Sequence, residues 1–226
     1  MFRMVIGFLL ILKLCSTVAS AGVALGTTRI VYPSDQKQVS LSVINSDEKS
    51  GFLIQSWIEN EKGEKDTRFI MTPPLFVMNG KKENKIRIID ATSNSLSKNK
   101  ETLFWVNVKA IPSLDKSRMS ENILQLAITS RIKLFYRPLN LDLSVDEAYK
   151  KLTFHRNDNF LVIKNPTPYY ITISDLSMGN RKLDSTMVAP LTNAYVDLPK
   201  GTTGDIAYKT INDFGAVTPV IKTFIQ

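Results

Sequence analysis

The chain has 226 residues and a formal net charge of +8, with 43% hydrophobic and 22% charged residues. This length and balance fit one large or two small globular domains, and they exclude a disordered or collagen-like chain. The basic residues are scattered among acidic ones. The densest basic group, NGKKENKIRI at 79–88, is more typical of a solvated face than of a nucleic-acid or membrane surface.

The first 21 residues have the pattern of a secretory signal peptide. Arg3 supplies a positive charge, MVIGFLLIL an apolar core, and Ala19-Ser20-Ala21 a small-residue cleavage site. A retained N-terminal anchor is the alternative, but the apolar run is short for a membrane span. Cleavage after Ala21 would remove Cys15, the single cysteine of the chain. The mature protein would then depend on apolar burial rather than on disulfides.

Two-residue alternation, the signature of β-strands, dominates the first half of the mature chain. KQVSLSVIN places Val39, Leu41 and Val43 on one face. Further strands are predicted over GFLIQSWIEN, NKIRIID and TLFWVNVKAI. The next strand, NILQLAITSRIKLFYRP at 122–138, alternates at first and then becomes basic and aromatic.

The same pattern resumes after Pro138. A hairpin is predicted around Asn157-Asp158-Asn159, followed by short strands in PYYITISDL, NAYVDLP, GDIAYKTIND and TPVIKTFIQ. SVDEAY at 144–149 is the best candidate for a helix, with a single turn as the alternative. These elements predict an all-β protein of two antiparallel sandwiches, with domains at 22–140 and 141–226.

The residues that support catalysis are scarce. The one histidine, His155, falls in the predicted hairpin, where a surface position is expected. A zinc site built from nitrogen and sulfur ligands cannot be assembled, and no nucleophile elbow or glycine-rich phosphate loop is present. We therefore expect no enzymatic activity, no metal and no cofactor. Binding is the more plausible task.

Several phrases occur in an order that resembles a known family. They are GVALGTTRIVYP, FIMTPPLF, ETLFWVNVKAIP, LQLAITSRIKLFYRP, NPTPYY and INDFGAVTP, and they span essentially the whole mature chain. Together they resemble the periplasmic pilus chaperones of Gram-negative bacteria, most closely the type 1 pilus chaperone subgroup. The resemblance implies two immunoglobulin-like domains in an L-shaped, boomerang arrangement with a cleft between them. It also implies periplasmic localisation, no use of ATP and no nucleic-acid partner.

Such chaperones bind pilus subunits, the pilins and the tip adhesin, that lack their last strand, and they lend a strand of their own. They then deliver each subunit to an outer-membrane usher. The lent strand maps onto Asn122, Leu124, Leu126 and Ile128, with Asn122 as the weakest insertion. Periodicity alone instead favours packing of these side chains in the protein's own core, and the resemblance reverses that preference.

Two basic residues hold the terminal carboxylate of the subunit in this family, and they map onto Arg29 and Lys133. Arg131 is the rival cation, and a solvent-facing position is expected for it. Lys133 is odd-numbered, whereas the groove-filling residues are even-numbered. A regular strand would turn Lys133 to the opposite face. A bulge, a twist or a bend between Ile128 and Lys133 could restore its direction, and the sequence does not decide among them.

The family's interdomain ionic network maps onto Glu101, Arg137 and Asp213. Exposed ion pairs contribute only about 0–1 kcal/mol each, so we expect this network to set the domain angle rather than to stabilise the fold.

By the same resemblance, the usher docks at a loop formed by Pro73, Pro74, Leu75 and Phe76. Two consecutive prolines are incompatible with a central strand. Whether Phe76 is exposed there or tucked into the core stays open.

The connection PSLDKSRMSEN is short, and the mature chain would lack cysteine, which favours the short-loop branch of the family. An immunoglobulin-like pilus subunit or adhesin is the main alternative function, and a glycan-binding or hydrolytic sandwich is a third. A dimer of the free protein that pairs its exposed strand edges is a further partner expectation.

Overall fold

The computed structural model describes residues 22–48, 50–93, 95–114 and 124–226. The first half of this part of the chain forms nine strands. These are β1 (Val23–Leu25), β2 (Arg29–Pro33), β3 (Gln38–Asn45), β4 (Phe52–Asn60), β5 (Phe69–Thr72), β6 (Leu75–Met78), β7 (Lys82–Asp90), β8 (Thr102–Pro112) and β9 (Ile128–Arg137).

The second half begins with a short helix, α1 (Val145–Ala148), within the segment 144–149 predicted as helical, and a 3₁₀ helix follows at Tyr149–Lys151. Eight strands follow among the described residues. These are β10 (Thr153–Asn157), β11 (Phe160–Lys164), β12 (Ile171–Met178), β13 (Arg181–Leu183), β14 (Thr186–Val188), β15 (Asn193–Asp197), β16 (Ile206–Thr210) and β17 (Ile221–Thr223). The predicted hairpin is confirmed, because Asn157 and Phe160 are register partners of β10 and β11.

Each half forms a two-sheet sandwich. In the first, the sheet β1-β3-β7-β5 packs on the sheet β2-β9-β8-β4-β6. In the second, β10-β11-β15 packs on β13-β12-β16-β17, with β14 also paired to β12. The alternation in the sequence explains the packing, because even-numbered residues of β8 such as Phe104 and Val106 are fully buried between the sheets.

The two sandwiches have separate hydrophobic cores. The first is built around residues such as Tyr32, Leu41 and Phe104, and the second around residues such as Phe154 and Tyr208. A cavity of about 290 Å³ lies where the sandwiches meet. No described helix is both long and apolar enough to cross a membrane.

Candidate functional site

Arg29 and Lys133 lie side by side. β2 runs parallel to β9, and the first residue of β2, Arg29, is the register partner of Lys133. Neighbouring strands are only about 4.8 Å apart, so the sheet brings together two cations that are separated by more than a hundred residues in the chain.

Arg29 is nearly buried, with 9% of its surface exposed. One guanidinium nitrogen, Nη1, donates to the carbonyl oxygen of Ile211 at 3.1 Å. Its Nε is buried and has no hydrogen-bond partner among the described residues. An unsatisfied buried donor costs free energy, so an acceptor bound here would be stabilised.

Lys133 is half-buried and forms no ion pair with any carboxylate of the described residues. Its Nζ contacts Oγ1 of Thr172, in the second sandwich, at 3.4 Å. Burial lowers the pKa of Lys133, and the charge of Arg29 lowers it further. Burial also lowers the pKa of Arg29, although the charge of Asp213 opposes this effect. Two adjacent cations in partly dehydrated surroundings form a site suited to an anion.

One edge of β9 is free beside these cations. β8 pairs with β9 from Ile128 to Tyr136, whereas β2 pairs with it only from Lys133 onward. Among the described strands, none covers the other edge from Ile128 to Ile132. Unpaired backbone groups on such an edge are a template for an added strand.

The predicted groove-filling side chains are exposed. Leu124 is 83%, Leu126 67% and Ile128 70% exposed. None of the three belongs to the protein's own core. Asn122 lies outside the described residues. Ile128 is the first residue of β9, so Leu124 and Leu126 precede the strand, contrary to the prediction of a strand over the whole segment.

No bulge interrupts β9 between Ile128 and Lys133. The ladder of β9 with β8 runs without a register shift from the pair Ile128–Ala110 to the pair Tyr136–Thr102. Of the three possibilities named from the sequence, the bulge is therefore excluded. Because side chains alternate along a regular strand, Lys133 points to the opposite face from Ile128.

Arg137 joins the two sandwiches through two carboxylates. Its Nε donates to Oε1 of Glu101 at 2.7 Å. Its Nη1 and Nη2 donate to the two oxygens of Asp213 at 2.6 and 2.8 Å. The other oxygen of Glu101 accepts from the backbone N–H of Tyr170 at 2.8 Å. Glu101 therefore connects a side chain of the first sandwich with the backbone of the second.

These ion pairs are not exposed, so the energy expected for exposed pairs does not apply. The side chain of Glu101 is 1% exposed and that of Arg137 is 18% exposed. Burial raises the pKa of Glu101, against the opposing effects of Arg137 and the Tyr170 N–H. Burial disfavours the charge of Arg137, but Asp213 and Glu101 outweigh it and raise the pKa of the guanidinium.

Tyr170 is an interdomain contact that the sequence analysis did not single out. Its ring lies 5.7 Å from that of Phe135, and its hydroxyl donates to Glu61 at 3.4 Å. The motif NPTPYY contains this residue, but nothing in the pattern indicates which sheet its ring contacts.

The predicted docking loop divides between a turn and a strand. Pro73 and Pro74 lie between β5 and β6, and the bond between Thr72 and Pro73 is cis. Leu75 and Phe76 belong to β6, an edge strand. Leu75 is 54% exposed, but Phe76 packs against the first core. Val77, which the sequence analysis did not name, is 69% exposed on the same face as Leu75.

The fold and the site define a class of protein: two immunoglobulin-like sandwiches with a strand edge that no described strand covers and that ends at two cations without a described carboxylate partner. The family model of the pili and flagellar-assembly chaperone PapD N-terminal domain matches residues 22–142. That of the pili assembly chaperone PapD C-terminal domain matches residues 147–222. The chain belongs to the family of pilus assembly chaperones, as the sequence predicted.

Curated relatives agree with this assignment. The chain is 58% identical over 201 residues to the chaperone protein FimC of Escherichia coli strain K12, covering 89% of this chain and 83% of FimC. It is 56% identical over 207 residues to the chaperone protein FocC of Escherichia coli, covering 91% of each.

Solved structures are similar over nearly the whole chain. The crystal structure of the periplasmic chaperone SfaE matches with a TM-score of 0.81 and 53% identity, covering 90% of this chain and 100% of that one. A chain in the Salmonella enterica structure of SafA pilin in complex with the SafB chaperone matches with a TM-score of 0.81 and 28% identity, covering 93% and 99%. The predicted two-domain all-β fold is confirmed.

Proposed function

We propose that this protein is a periplasmic chaperone that binds pilus subunits by lending them a strand and delivers them to an outer-membrane usher. The observation that carries the proposal is the position of Arg29 and Lys133 at the end of the free edge of β9. Among the described residues, Nε of Arg29 has no hydrogen-bond partner and the ammonium of Lys133 has no carboxylate partner, so both suit the terminal carboxylate of a bound chain.

The geometry also gives the direction of the bound strand. A subunit strand added beside Ile128–Ile132 would lie on the same side of β9 as β2, which begins to pair with β9 at Arg29. If its terminal carboxylate binds at Lys133, the strand must run toward Lys133, and it is therefore parallel to β9. Such strand addition is established for chaperone–pilin complexes.

The exposed side chains of Leu124, Leu126 and Ile128 supply the apolar part of the interaction. Each would gain about 1.5–3 kcal/mol on full burial in the groove of an incomplete subunit sandwich. Asn122, beyond the described residues, is proposed as a weaker fourth insertion. Lys133 fixes the position of the subunit strand along β9. The alternate apolar side chains, on the face opposite to Lys133, fill the groove of the subunit.

Localisation and further partners follow the family. The crystallised relative SfaE is a periplasmic chaperone, and we propose export of this chain by cleavage of a signal peptide at residues 1–21. We assign usher docking to the turn at Pro73–Pro74 and the exposed face of β6, where Leu75 replaces Phe76 as the main contact. Pairing of the free β9 edges in a dimer is proposed for the protein without a subunit. The relatives FimC, FocC and SfaE are chaperones, which favours this function over that of a pilus subunit or an adhesin.

Substitution of the two cations tests the proposal. Arg29→Ala and Lys133→Ala are expected to abolish co-purification of pilins from periplasm while the circular dichroism spectrum and thermal unfolding stay cooperative. Lys85→Ala is the matched control, because Lys85 is exposed on β7 in the other sheet. If both variants recover pilins at the wild-type yield, the anchoring role is wrong.

A further inference from the structure

Four side chains form one row across the sheet that carries the anchor. Glu59 on β4 is the register partner of Trp105 on β8. Trp105 is the partner of Lys133 on β9, which is in turn the partner of Arg29 on β2. Register partners point to the same face, so a carboxylate, an indole and two cations lie in order along this row.

A third cation lies one step away on the same face. Arg131 precedes Lys133 by two residues and lies on the free part of the β9 edge. It has the residue type and the position needed to hold a carboxylate. A carboxylate held there would shift the bound strand by two residues relative to the one held at Lys133.

Side-chain alternation does not prevent the bound strand from shifting by two residues along β9. A shift of one residue would turn every apolar side chain to the wrong face, whereas a shift of two restores the same faces. The apolar insertions alone therefore discriminate poorly between the two positions. A further element of the site has to distinguish Lys133 from Arg131.

The structure holds Arg131 in a separate interaction. Its guanidinium lies over the Trp105 ring, with its carbon 4.3 Å from the ring centroid. Its Nη2 donates to Oε2 of Glu59 at 3.0 Å. The other oxygen, Oε1, accepts from Nε1 of Trp57 at 2.8 Å, and the Glu59 side chain is only 18% exposed. The Arg131 side chain thus packs against Trp105, a member of the row that contains Lys133. The carboxylate of Glu59 neutralises the charge of Arg131.

We propose that Glu59 is a positioning residue that selects the register of the bound subunit strand by keeping Arg131 from holding its terminal carboxylate. This inference rests on the proposed strand-lending function. A carboxylate that binds Arg131 must displace Glu59 from it. A carboxylate that binds at Lys133 and Arg29 displaces no described carboxylate from either cation.

Disulfide mapping measures the register directly. Thr129 is exposed on β9 within the free edge, and Cys15 is the single native cysteine and lies in the proposed signal peptide. Thr129→Cys chaperone is co-expressed with the pilin that the wild-type protein captures, carrying one cysteine at successive positions of its last strand. The pilin position that gives the highest yield of mixed disulfide reports the register.

In the Glu59→Gln background, we expect a second mixed disulfide, formed by a pilin cysteine two positions nearer to the pilin C-terminus. A partly exposed ion pair corresponds to at most about a five-fold change in population, so the ratio of shifted to original product should rise about two- to five-fold. Glu59→Gln/Arg131→Gln should restore the original ratio, because the competing cation is gone. Glu83→Gln, exposed on β7 of the other sheet, should leave the ratio unchanged.

The outcomes separate the two proposals. If no pilin position cross-links with the Thr129→Cys chaperone that retains Glu59, strand addition along β9 is wrong, and the proposed function fails with it. If that chaperone gives one clear position and Glu59→Gln leaves it unchanged, only the role of Glu59 is overturned. An equal rise in shifted product in the double variant also overturns it, because the effect would then not pass through Arg131. Thermal unfolding of each variant checks that the sheet is intact.

Discussion

Lys133 is held in a position that disfavours its own charge. It is half-buried beside Arg29, and among the described residues it has a hydroxyl but no carboxylate as a partner. A residue selected for the stability of the free protein would not be placed in this way. Unfavourable placement of charge is common at binding sites, where the ligand supplies the missing partner.

Replacement of Lys133 by methionine should stabilise the free protein at neutral pH. The pKa of Lys133 in the folded protein lies below its ordinary value of 10.5, because of burial first and Arg29 second. Between the lowered pKa and 10.5, the unfolded chain therefore binds more protons than the folded chain, and the contribution of Lys133 to stability rises with pH. Below this window the charged lysine destabilises the fold, and Lys133→Met removes that cost.

The measurement is the difference in melting temperature between Lys133→Met and the wild type from pH 7 to pH 10. Because solvent screens the half-exposed ammonium, the change in free energy at pH 7 should stay below about 1 kcal/mol, which corresponds to a gain of about 1–3 °C for a chain of this size. The gain should shrink as the pH approaches 10. Lys85→Met, at an exposed position, should show neither effect. A variant that melts below the wild type at pH 7 would contradict this account.

At the scale of single elements, β6 combines an exposed apolar face with an edge position. It pairs with β4 on one side, and Leu75 and Val77 point outward from it. Proteins usually protect such edges with charges or cover them. The exposed aliphatic pair on this edge strand therefore fits the proposed docking of the usher, and it is separate from the edge of β9 that is proposed to receive the subunit.

Val77→Asp should separate these two tasks. The substitution is at the surface, so the stability should change by no more than about 0.5 kcal/mol. Co-purification of pilins should be retained, whereas the number of pili counted by electron microscopy should fall strongly, because an unpaired charge would be buried at the docking surface. Ile70→Asp is the control, since Ile70 is a comparably exposed aliphatic residue on β5 in the other sheet. Normal numbers of pili would exclude β6 as the docking element.

The sequence predicted best the strands that bury one face in a core. Alternation identified β3, β8 and the hairpin of β10 and β11, because each buries one face in a core. It placed the start of β9 too early, since Leu124 and Leu126 have the alternation of a strand but no described strand beside them. β6 reads LFVM, four apolar residues without alternation, and the two prolines before it suggested a loop over Leu75 and Phe76.

The residues of the candidate site were less predictable from local sequence patterns than the strands. Arg29 and Lys133 were assigned through the family resemblance, and no local pattern connects them. Glu59 and Trp105 had no signal in the sequence, because their relation to Lys133 is a matter of register across three strands. Register depends on long-range pairing, which alternation does not specify.

At the scale of the whole molecule, Glu101 and Arg137 form the junction between the sandwiches. The backbone N–H of Glu101 donates to the carbonyl oxygen of Pro168 at 2.9 Å, and its carboxylate accepts from the N–H of Tyr170. Arg137 then links this carboxylate to Asp213. Because Glu101 is almost completely buried, its charge requires Arg137, and we infer that removing one partner of this pair destabilises the fold in addition to any effect on the domain angle.

Arg137→Met should therefore be severely destabilising. It leaves the buried carboxylate of Glu101 without its cation, and removal of one partner of a buried pair typically costs about 3–5 kcal/mol. Asp213→Asn should cost less, because the Asp213 side chain is 29% exposed and water can solvate the remaining charge of Arg137. Urea unfolding of the three proteins gives the comparison. If Arg137→Met lowers the free energy of unfolding by less than about 1 kcal/mol, the network behaves like an exposed ion pair, and its role is only to orient the domains.

The double variant Arg137→Met/Glu101→Met distinguishes stability from orientation. With both buried charges removed, much of the stability lost in Arg137→Met should return, because an apolar pair of similar volume avoids the cost of dehydrating the ions. The directional hydrogen bonds to Asp213 and to the Tyr170 N–H would still be missing. We therefore expect a broader distribution of interdomain distances in small-angle X-ray scattering and weaker pilin capture at near-normal stability. Normal scattering and normal capture would mean that apolar contacts such as Phe135 against Tyr170 suffice to set the domain angle.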